Sequence, residues 1–275
     1  MTTPSTITPR MTPRRAIVDT LVITHRNVMR NLRLPQLLLF STIQPVMFLL
    51  LFNFVFGGAI SGTLPGGLTY IQWLMPGLLL QVAIFGAGQT AVGLTDDLSR
   101  GVIDRFRSLP MARSAVLAGR TSADLVRNAA VLSLMLLVGT AIGFRWETGP
   151  LRFAGAFVLA LLFGHAVSWI MATIGLTVRN PEAAQSAVFI PSFPFVFASA
   201  IFLPTETMPG WLRAFADHQP VTAVVHALRG LILGDHALPA GQTLLGQLTL
   251  AGAWIVGITT VFALLAVRIY RRIET

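Results

Sequence analysis

Long stretches without charged residues dominate the pattern of hydrophobic and polar positions along the chain. No charged residue occurs from Leu34 to Thr95, and because one membrane crossing takes about 20 apolar residues, this stretch is long enough for two helices. The glycine- and proline-rich residues 57–67 would form the loop between them. Further uncharged stretches bring the predicted transmembrane helices to six, near residues 35–56, 70–94, 128–144, 153–178, 183–203 and within 237–267.

The charged residues beside these stretches refine the predicted spans. The third stretch is short, so its helix should begin earlier, with Arg120, Asp124 and Arg127 on a turn that leaves the membrane. No aspartate or glutamate falls inside a predicted span, whereas proton- or sodium-coupled carriers usually bury at least one carboxylate. The pattern therefore disfavours an ion-coupled carrier without excluding that class.

The distribution of arginine predicts the orientation of the six helices. All 20 basic residues are arginines, and all but Arg145, Arg152, Arg213 and Arg229 fall on the side that holds both termini. Because cytoplasmic segments carry the excess of basic residues, both termini are predicted to be cytoplasmic. The net charge of +9 then reflects topology and contact with anionic lipid rather than binding to nucleic acid.

The composition excludes most catalytic classes. Hydrophobic residues make up 54% of the chain and charged residues 11%, against about 25% charged residues in soluble domains. The chain contains no lysine, so it has neither a Walker lysine for ATP nor an amine for Schiff-base chemistry. It also contains no cysteine, which removes thiol nucleophiles and cysteine-based metal sites. We expect an all-α membrane protein that is not itself an enzyme and binds no cofactor.

Residues 14–33 carry too many charges to cross a membrane but follow a helical period. At 100° per residue their apolar side chains share one arc, and their arginines gather beside it. This arrangement predicts an amphipathic helix on the cytoplasmic leaflet, into which Ile23 and His25 do not fit. The alternative is an ordinary basic juxtamembrane anchor.

Residues 96–113 form the loop between the second and third predicted spans and combine both signs of charge with apolar side chains. A loop that only reversed the chain would not need Ile103 and Phe106 in a charged setting. One interpretation is an amphipathic segment that docks into a groove of a soluble partner; the other is a solvated connector on lipid headgroups. The docking interpretation involves Asp96, Asp97, Arg100, Gly101, Ile103, Asp104, Arg105, Phe106, Arg107 and Leu109.

Residues 204–234, on the outer side, are too polar to span but contain many apolar side chains. They predict short helices lying in the outer interface, with Trp211 as an aromatic anchor. The chain then divides into a cytosolic N-terminus (1–34), a six-span domain (35–267) and a cytosolic tail (268–275).

Uncharged polar residues inside the predicted spans are the candidates for a substrate path. They either line a path or hydrogen-bond helices to one another, and the second role is the commoner one. Prolines in the same helices free backbone carbonyls and favour helices that bend, as transporters need. The candidates are Gln44, Asn53, Gln81, Gln89, Ser192 and Ser199.

Histidine and aspartate residues give weak signals for other chemistry. His165 and Ser168 share one predicted span, but they lack the acidic residue and the glycine-framed serine of a hydrolase. Hydrogen bonding between helices is the better interpretation. Three scattered outer histidines and the Asp96-Asp97 pair lack the spacing of a metal site, so no metal is predicted.

Three stretches resemble the type-2 ABC exporter permeases. Tyr70–Gly77, followed by Gln81, resembles the opening of the second span in that family. Gly101–Met111, which contains the string Asp-Arg-Phe-Arg-Ser-Leu-Pro, resembles the loop of its daunorubicin-resistance branch. Arg179–Gln185, with the later Met-Pro-Gly-Trp and Gln-Pro-Val-Thr segments, resembles its fifth span and outer segment. The likeness runs over residues 35–267.

The resemblance implies a permease that pairs with a second copy of itself and with two copies of a separate ATPase, which would bind ATP and magnesium. Asp96–Leu109 would be the coupling helix seated in that ATPase, and residues 14–33 the connecting helix. Members of the family often carry a glutamate near the start of this loop, where this chain has Asp96 and Asp97.

The implied activity is export of hydrophobic small molecules across a bacterial-type plasma membrane, and the branch favours antibiotics such as anthracyclines. A lipid, glycolipid or polysaccharide-precursor exporter of the same family is the alternative. An ion-coupled carrier or a non-transporting subunit of a membrane complex ranks lower.

Overall fold

The computed structural model of the protein describes residues 13–32, 35–60, 64, 67–102, 113–178 and 180–272. All regular secondary structure within these ranges is helical, as the sequence predicts. The helices are α1 (Pro13–Leu32), α2 (Pro35–Leu51), α3 (Tyr70–Ser99), α4 (Arg113–Ala141), α5 (Pro150–Thr177), α6 (Pro181–Phe197), α7 (Gly210–His218), α8 (Pro220–Ile232) and α9 (Leu244–Arg272). Helix α2 continues through a π-helical turn, Phe52–Phe56, and a last turn, Gly57–Ile60, so the first loop begins later than predicted.

Four helices, α3, α4, α5 and α9, are long and apolar enough to cross a membrane. Helix α6 has 17 residues, fewer than the roughly 20 of a full crossing. It ends before the predicted boundary because the Gln219 side chain donates to the carbonyls of Phe195 (2.9 Å) and Ala198 (2.7 Å). The chain is therefore a multi-pass helical membrane protein, and crossings by α2 and α6 stay a prediction.

Helix α4 begins well before the third uncharged stretch. The prediction that this helix starts earlier is confirmed, because one continuous helix carries Arg120, Asp124 and Arg127. Their charges are paired: Arg127 Nε lies 3.6 Å from Asp124 Oδ1, and Arg120 Nη1 lies 3.2 Å from Asp97 Oδ2. Such pairing avoids the cost of an isolated buried charge, and the position of these residues relative to the membrane stays a prediction.

Helix α3 lies at the centre of the bundle and contacts α4, α5, α6 and α8. Small residues let α5 approach it closely, since a methyl group added at Gly175 would lie 2.6 Å from Ala91 O and one added at Gly164 would lie 3.0 Å from Ala83 Cβ. Across the same contact Thr95 Oγ1 donates to the Gly175 carbonyl (2.9 Å). Close packing of this kind holds helices together in lipid, where the hydrophobic effect does not.

The segment after α6 contains one exposed and one buried helix. Helix α7 exposes Trp211, whereas α8 is buried among α3, α5 and α9 from Val221 to Ile232. Arg229 is fully buried and donates to the carbonyls of Trp73, Ala200 and Ile201. Its Cζ lies 3.4 Å from the centre of the Trp73 ring. These contacts join α8 to the N-terminal end of α3 and to the turn after α6, and an outer re-entrant or interfacial position of residues 204–234 stays a prediction.

Helix α1 packs along α4, and Ile23 lies at the contact. Ile23 is 3% exposed, and a methyl group added at Gly119 would lie 2.6 Å from its side chain. It departs from the amphipathic pattern because it faces protein rather than lipid. Ile17, Leu21 and Val22 stay exposed on the predicted apolar face.

Candidate substrate cavity and coupling end

A cavity of about 160 Å³ lies where α2, α3, α4 and α6 meet. Phe85 on its wall is roughly 20 Å from either end of α3 at about 1.5 Å per residue, so the cavity lies near the middle of the helix bundle. Its polar and aromatic lining consists of Gln44 and Phe48 from α2, Gln81, Phe85 and Gln89 from α3, Arg127 and Asn128 from α4, and Gln185 and Phe189 from α6.

The structure brings three of the predicted path residues, Gln44, Gln81 and Gln89, onto this one cavity. Ser192 and Ser199 do not line it, since each hydroxyl donates to a backbone carbonyl of its own segment, at 2.7 and 2.6 Å. Asn53 lies elsewhere, in the π-helical turn that extends α2. The two serines therefore neither line this cavity nor use their hydroxyl hydrogens to bond one helix to another.

Sequence reasoning missed the aromatic and charged part of the lining. The aromatic part could have been found from a four-residue spacing between glutamine and phenylalanine. Phe85 lies four residues from both Gln81 and Gln89 on α3, and Phe189 lies four residues after Gln185 on α6. Residues four apart lie on the same face of a helix. An amide and an aromatic ring repeated at this spacing therefore marks the wall of a cavity rather than a lipid-facing surface.

The lining glutamines are available to a ligand. The carboxamides of Gln44, Gln81, Gln89 and Gln185 form no hydrogen bond with any residue that the structure describes. Each such group carries two N–H donors and a carbonyl acceptor. Because an apolar setting strengthens every hydrogen bond they make, these groups can select for polar atoms on a mainly apolar molecule.

Arg127 brings a guanidinium to the same cavity. Its side chain is 9% exposed, and its Nε lies 3.6 Å from Asp124 Oδ1. Its Nη2 donates to the carbonyl of Gly86 and to Asn128 Oδ1 (3.4 Å). The Asp124 carboxylate, which forms an ion pair with Arg127, accepts a hydrogen bond from Thr90 Oγ1 at 2.5 Å. These contacts fix the guanidinium at the junction of α3 and α4.

Polar contacts continue from the cavity along α3 and α4 towards residues 96–113. Arg120 pairs with Asp97 and also donates to the carbonyl of Gln89 (3.3 Å). Two glycines of α3 make room for these side chains: a methyl group at Gly93 would collide with the Arg120 guanidinium, and one at Gly86 with the Asn128 amide. Buried polar side chains thus connect the cavity to the end of α3 that carries Asp96 and Asp97.

That end of α3 carries the first of the predicted coupling residues. Asp96 and Arg100 form an exposed ion pair at 2.9 Å, and Gly101 follows with a φ of 66° that suits glycine. Asp97 is buried against Arg120 instead of facing outward. The other predicted coupling residues, Ile103, Asp104, Arg105, Phe106, Arg107 and Leu109, lie outside the described residues.

His165 and Ser168 of α5 make contacts within their own helix. Trp169 Nε1 donates to His165 Nε2 (3.3 Å), and Ser168 Oγ donates to the Gly164 carbonyl (3.0 Å). Neither side chain is hydrogen-bonded to the other, so the geometry of a hydrolase is not formed. In the part of the chain that the structure describes, no three histidine or acidic side chains gather as metal ligands would.

Comparisons with known proteins agree with this architecture. The family model of the ABC-2 type transporter matches residues 19–233. The chain is 34% identical to the daunorubicin resistance ABC transporter permease protein DrrB1 of Streptomyces coeruleorubidus, over 94% of this chain and 89% of that protein. It is 27% identical to the probable doxorubicin resistance ABC transporter permease protein DrrC of Mycobacterium tuberculosis, over 95% and 91%. It is 29% identical to the doxorubicin resistance ABC transporter permease protein DrrB of the same organism, over 80% and 74%. The chain therefore belongs to the ABC-2 type transporter family, whose members are membrane permeases without an ATPase domain.

Proposed function

We propose that this chain is the permease subunit of an ATP-driven exporter that moves hydrophobic or amphiphilic drugs or natural products out of the cell. A separate ATPase subunit binds and hydrolyses ATP, and the permease works as a pair of chains in a bacterial-type plasma membrane. Six helices cross the membrane, and both termini are cytoplasmic. The names of the relatives, which are daunorubicin and doxorubicin resistance permeases, support a drug-like cargo.

The cavity is the observation that carries this proposal. It combines three phenylalanine rings with carboxamides that form no hydrogen bond with the described residues, which is the composition of sites for mainly apolar small molecules. Gln81 is buried, whereas Gln44, Gln89 and Gln185 are exposed. A structural subunit would not need a buried amide without a partner at Gln81, because burying such a group costs free energy.

The cytoplasmic end of α3 supplies the coupling. In the proposal, Asp96–Leu109 seats in the ATPase, and closure of the ATPase dimer moves α3 and α4 together through the Asp97–Arg120 pair. Because Gln81, Gln89 and Arg127 belong to the same two helices, such a movement reshapes the cavity.

A second copy of the chain completes the binding region. A cavity of about 160 Å³ is smaller than the roughly 300 Å³ or more of a drug-sized site. Beside the lining residues, α2 exposes Met47 and α6 exposes Ile190 and Phe193. These apolar side chains would face the partner chain or the substrate between the two copies.

Reconstitution tests the proposal. The chain is co-purified with its ATPase, placed in liposomes, and assayed for daunorubicin uptake by fluorescence quenching. We expect uptake that requires both ATP and the ATPase. Gln81→Leu keeps the side-chain volume but removes the amide that would hydrogen-bond the cargo. Uptake should therefore fall about threefold to tenfold.

Ser192→Ala is the matched control for Gln81→Leu, because this buried serine bonds only within its own helix in the described structure. It should transport at the normal rate. Uptake by the permease alone, or uptake driven by a pH gradient after ATP is depleted, would contradict the proposal and favour an ion-coupled carrier.

Export of a lipid or glycolipid is the second candidate function. The exposed apolar side chains of Met47, Ile190 and Phe193 favour a cargo that enters from the bilayer. The two candidates are separated by adding either daunorubicin or a short-chain glycolipid to the complex in detergent. The true cargo class should stimulate ATP hydrolysis at the lower concentration.

A further inference from the structure

We propose that the cavity takes an aromatic ring that carries an oxygen acceptor, such as a carbonyl, phenolate or carboxylate, and that Arg127 is the residue that selects it. This inference rests on the proposed function and names the cargo chemistry of the same site. The positively charged part of a cargo, where there is one, must then lie outside the cavity.

The size and walls of the cavity fit one aromatic ring or two fused rings. A dry cavity of about 150 Å³ is known to admit benzene, and this cavity measures about 160 Å³. Phe48, Phe85 and Phe189 face it from three different helices, and the rings of Phe85 and Phe189 lie 5.8 Å apart at 38°. A planar ring can pack against such walls with the offset geometry that aromatic pairs prefer.

Arg127 directs a hydrogen-bond donor into this space. Its Nη2 is bonded to protein, and its Nε is buried beside Asp124. Its Nη1 forms no hydrogen bond with the described residues and is not among their buried unbonded atoms, so it remains accessible from the cavity that Arg127 lines. A guanidinium nitrogen in an apolar setting is a strong donor to a carbonyl or an anionic oxygen.

An ammonium group finds no charged partner on the described wall of the cavity, only the neutral carbonyl oxygens of the lining glutamines and the ring faces. Arg127 is the only charged residue on the described wall of the cavity. The Asp124 carboxylate is already held by Arg127 and Thr90 and does not line the cavity. A ring face attracts a cation by about 0.5–1 kcal/mol at ordinary sites, which does not offset desolvation of an ammonium beside a second positive charge. The electrostatics therefore favour acceptors over ammonium groups.

Equilibrium dialysis on the purified permease–ATPase complex without nucleotide tests the inference. Four probes share one ring system: methylnaphthalene, naphthamide, naphthoate and naphthylmethylammonium. We expect naphthamide and naphthoate to bind at least about tenfold more tightly than naphthylmethylammonium, as one hydrogen bond to a charged group provides. Methylnaphthalene should also bind more weakly than naphthamide, because it lacks the acceptor.

The Arg127→Leu, Asp124→Asn double variant removes both charges together, so no carboxylate is left uncompensated. The preference for naphthamide over naphthylmethylammonium should fall to about threefold or less. The matched control is Arg213→Leu, Asp217→Asn, an exposed pair of the same types on α7 with an Nε–Oδ2 distance of 3.4 Å. It should keep the normal preference.

Two results would overturn the inference. One is tighter or equal binding of naphthylmethylammonium relative to naphthamide in the unmodified protein, a comparison that needs no variant to fold. The other is an unchanged preference in the Arg127 double variant. If the preference fails while ATP-dependent uptake of daunorubicin persists, only the cargo chemistry is wrong. If uptake does not depend on the ATPase but naphthamide still binds more tightly than naphthylmethylammonium, the proposed function is wrong and the assigned role of Arg127 in binding is still supported.

Discussion

Replacing Gly175 by alanine should separate α3 from α5. The added methyl group would lie 2.6 Å from the Ala91 carbonyl oxygen and 2.8 Å from the Ala91 Cα. Both are backbone atoms, so no side chain can turn away, and the helices must move apart by about 0.6–0.8 Å to reach ordinary contact near 3.4 Å. That shift also stretches the 2.9 Å hydrogen bond from Thr95 Oγ1 to the Gly175 carbonyl beyond its useful length.

Gly175→Ala has both unfavourable and favourable effects on the free energy of unfolding. Overpacking costs about 1–3 kcal/mol. Losing the hydrogen bond to Gly175 adds little, because the Thr95 hydroxyl also donates to the Ala91 carbonyl at 3.0 Å. The higher helix propensity of alanine returns about 1 kcal/mol. The net loss of up to about 2 kcal/mol should lower the melting temperature of the detergent-purified protein.

Gly155→Ala, on the same helix, is the control for Gly175→Ala. A methyl group at Gly155 meets nothing within 4 Å, so only the propensity term acts and the melting temperature should stay level or rise. If Gly175→Ala melts at or above the temperature of Gly155→Ala, the close approach of α3 and α5 is not as described.

Three further substitutions test the other contacts. Arg229→Met leaves three carbonyls without their donor and should cost about 3 kcal/mol of unfolding free energy; an unchanged melting temperature would show that α8 is held by apolar packing alone. Asp97→Asn breaks a buried ion pair and should cost about 3 kcal/mol, whereas Asp96→Asn removes an exposed pair worth at most about 0.5 kcal/mol; equal melting temperatures would refute the assigned burial. Ile23→Ser should release α1 from α4 and expose it to protease, while Ile17→Ser, on the exposed face, should not; equal digestion rates would contradict the packing of α1.

Much of the fold could be predicted from the hydrophobic pattern. A helix that crosses lipid hydrogen-bonds all its backbone groups internally and is therefore visible in the sequence as a long apolar stretch. The pattern could not predict where the charged residues of α4 point. Arg120 and Asp124 carry no local sign that their partners lie on α3, more than twenty residues away in sequence. The burial of Arg229 was not predictable either, since its partners are backbone carbonyls, whose positions the sequence does not mark.

Only part of the lining of the cavity could be predicted from the sequence. Polarity inside an apolar helix marked Gln44, Gln81 and Gln89, and the structure gathers them at one place. The same criterion selected Ser192 and Ser199, which satisfy their hydroxyls on their own backbones. A serine can do this because its side chain is short enough to reach the carbonyl one turn back. The longer glutamine side chain inside a span finds its hydrogen-bond partners on a neighbouring helix or on a ligand.

The buried charges bear on whether the chain could be an ion-coupled carrier. Asp97 and Asp124 lie in helices α3 and α4, just beyond the predicted spans 70–94 and 128–144. Each of them is matched by an arginine, Arg120 or Arg127. A carboxylate that couples transport to an ion must be free to take up and release that ion. Asp97 and Asp124 are instead held by buried contacts between α3 and α4, Asp97 through Arg120 and Asp124 through the Thr90 hydroxyl. An ion-coupled carrier therefore stays disfavoured, because both carboxylates lie outside the predicted spans 70–94 and 128–144 and both are paired with arginine.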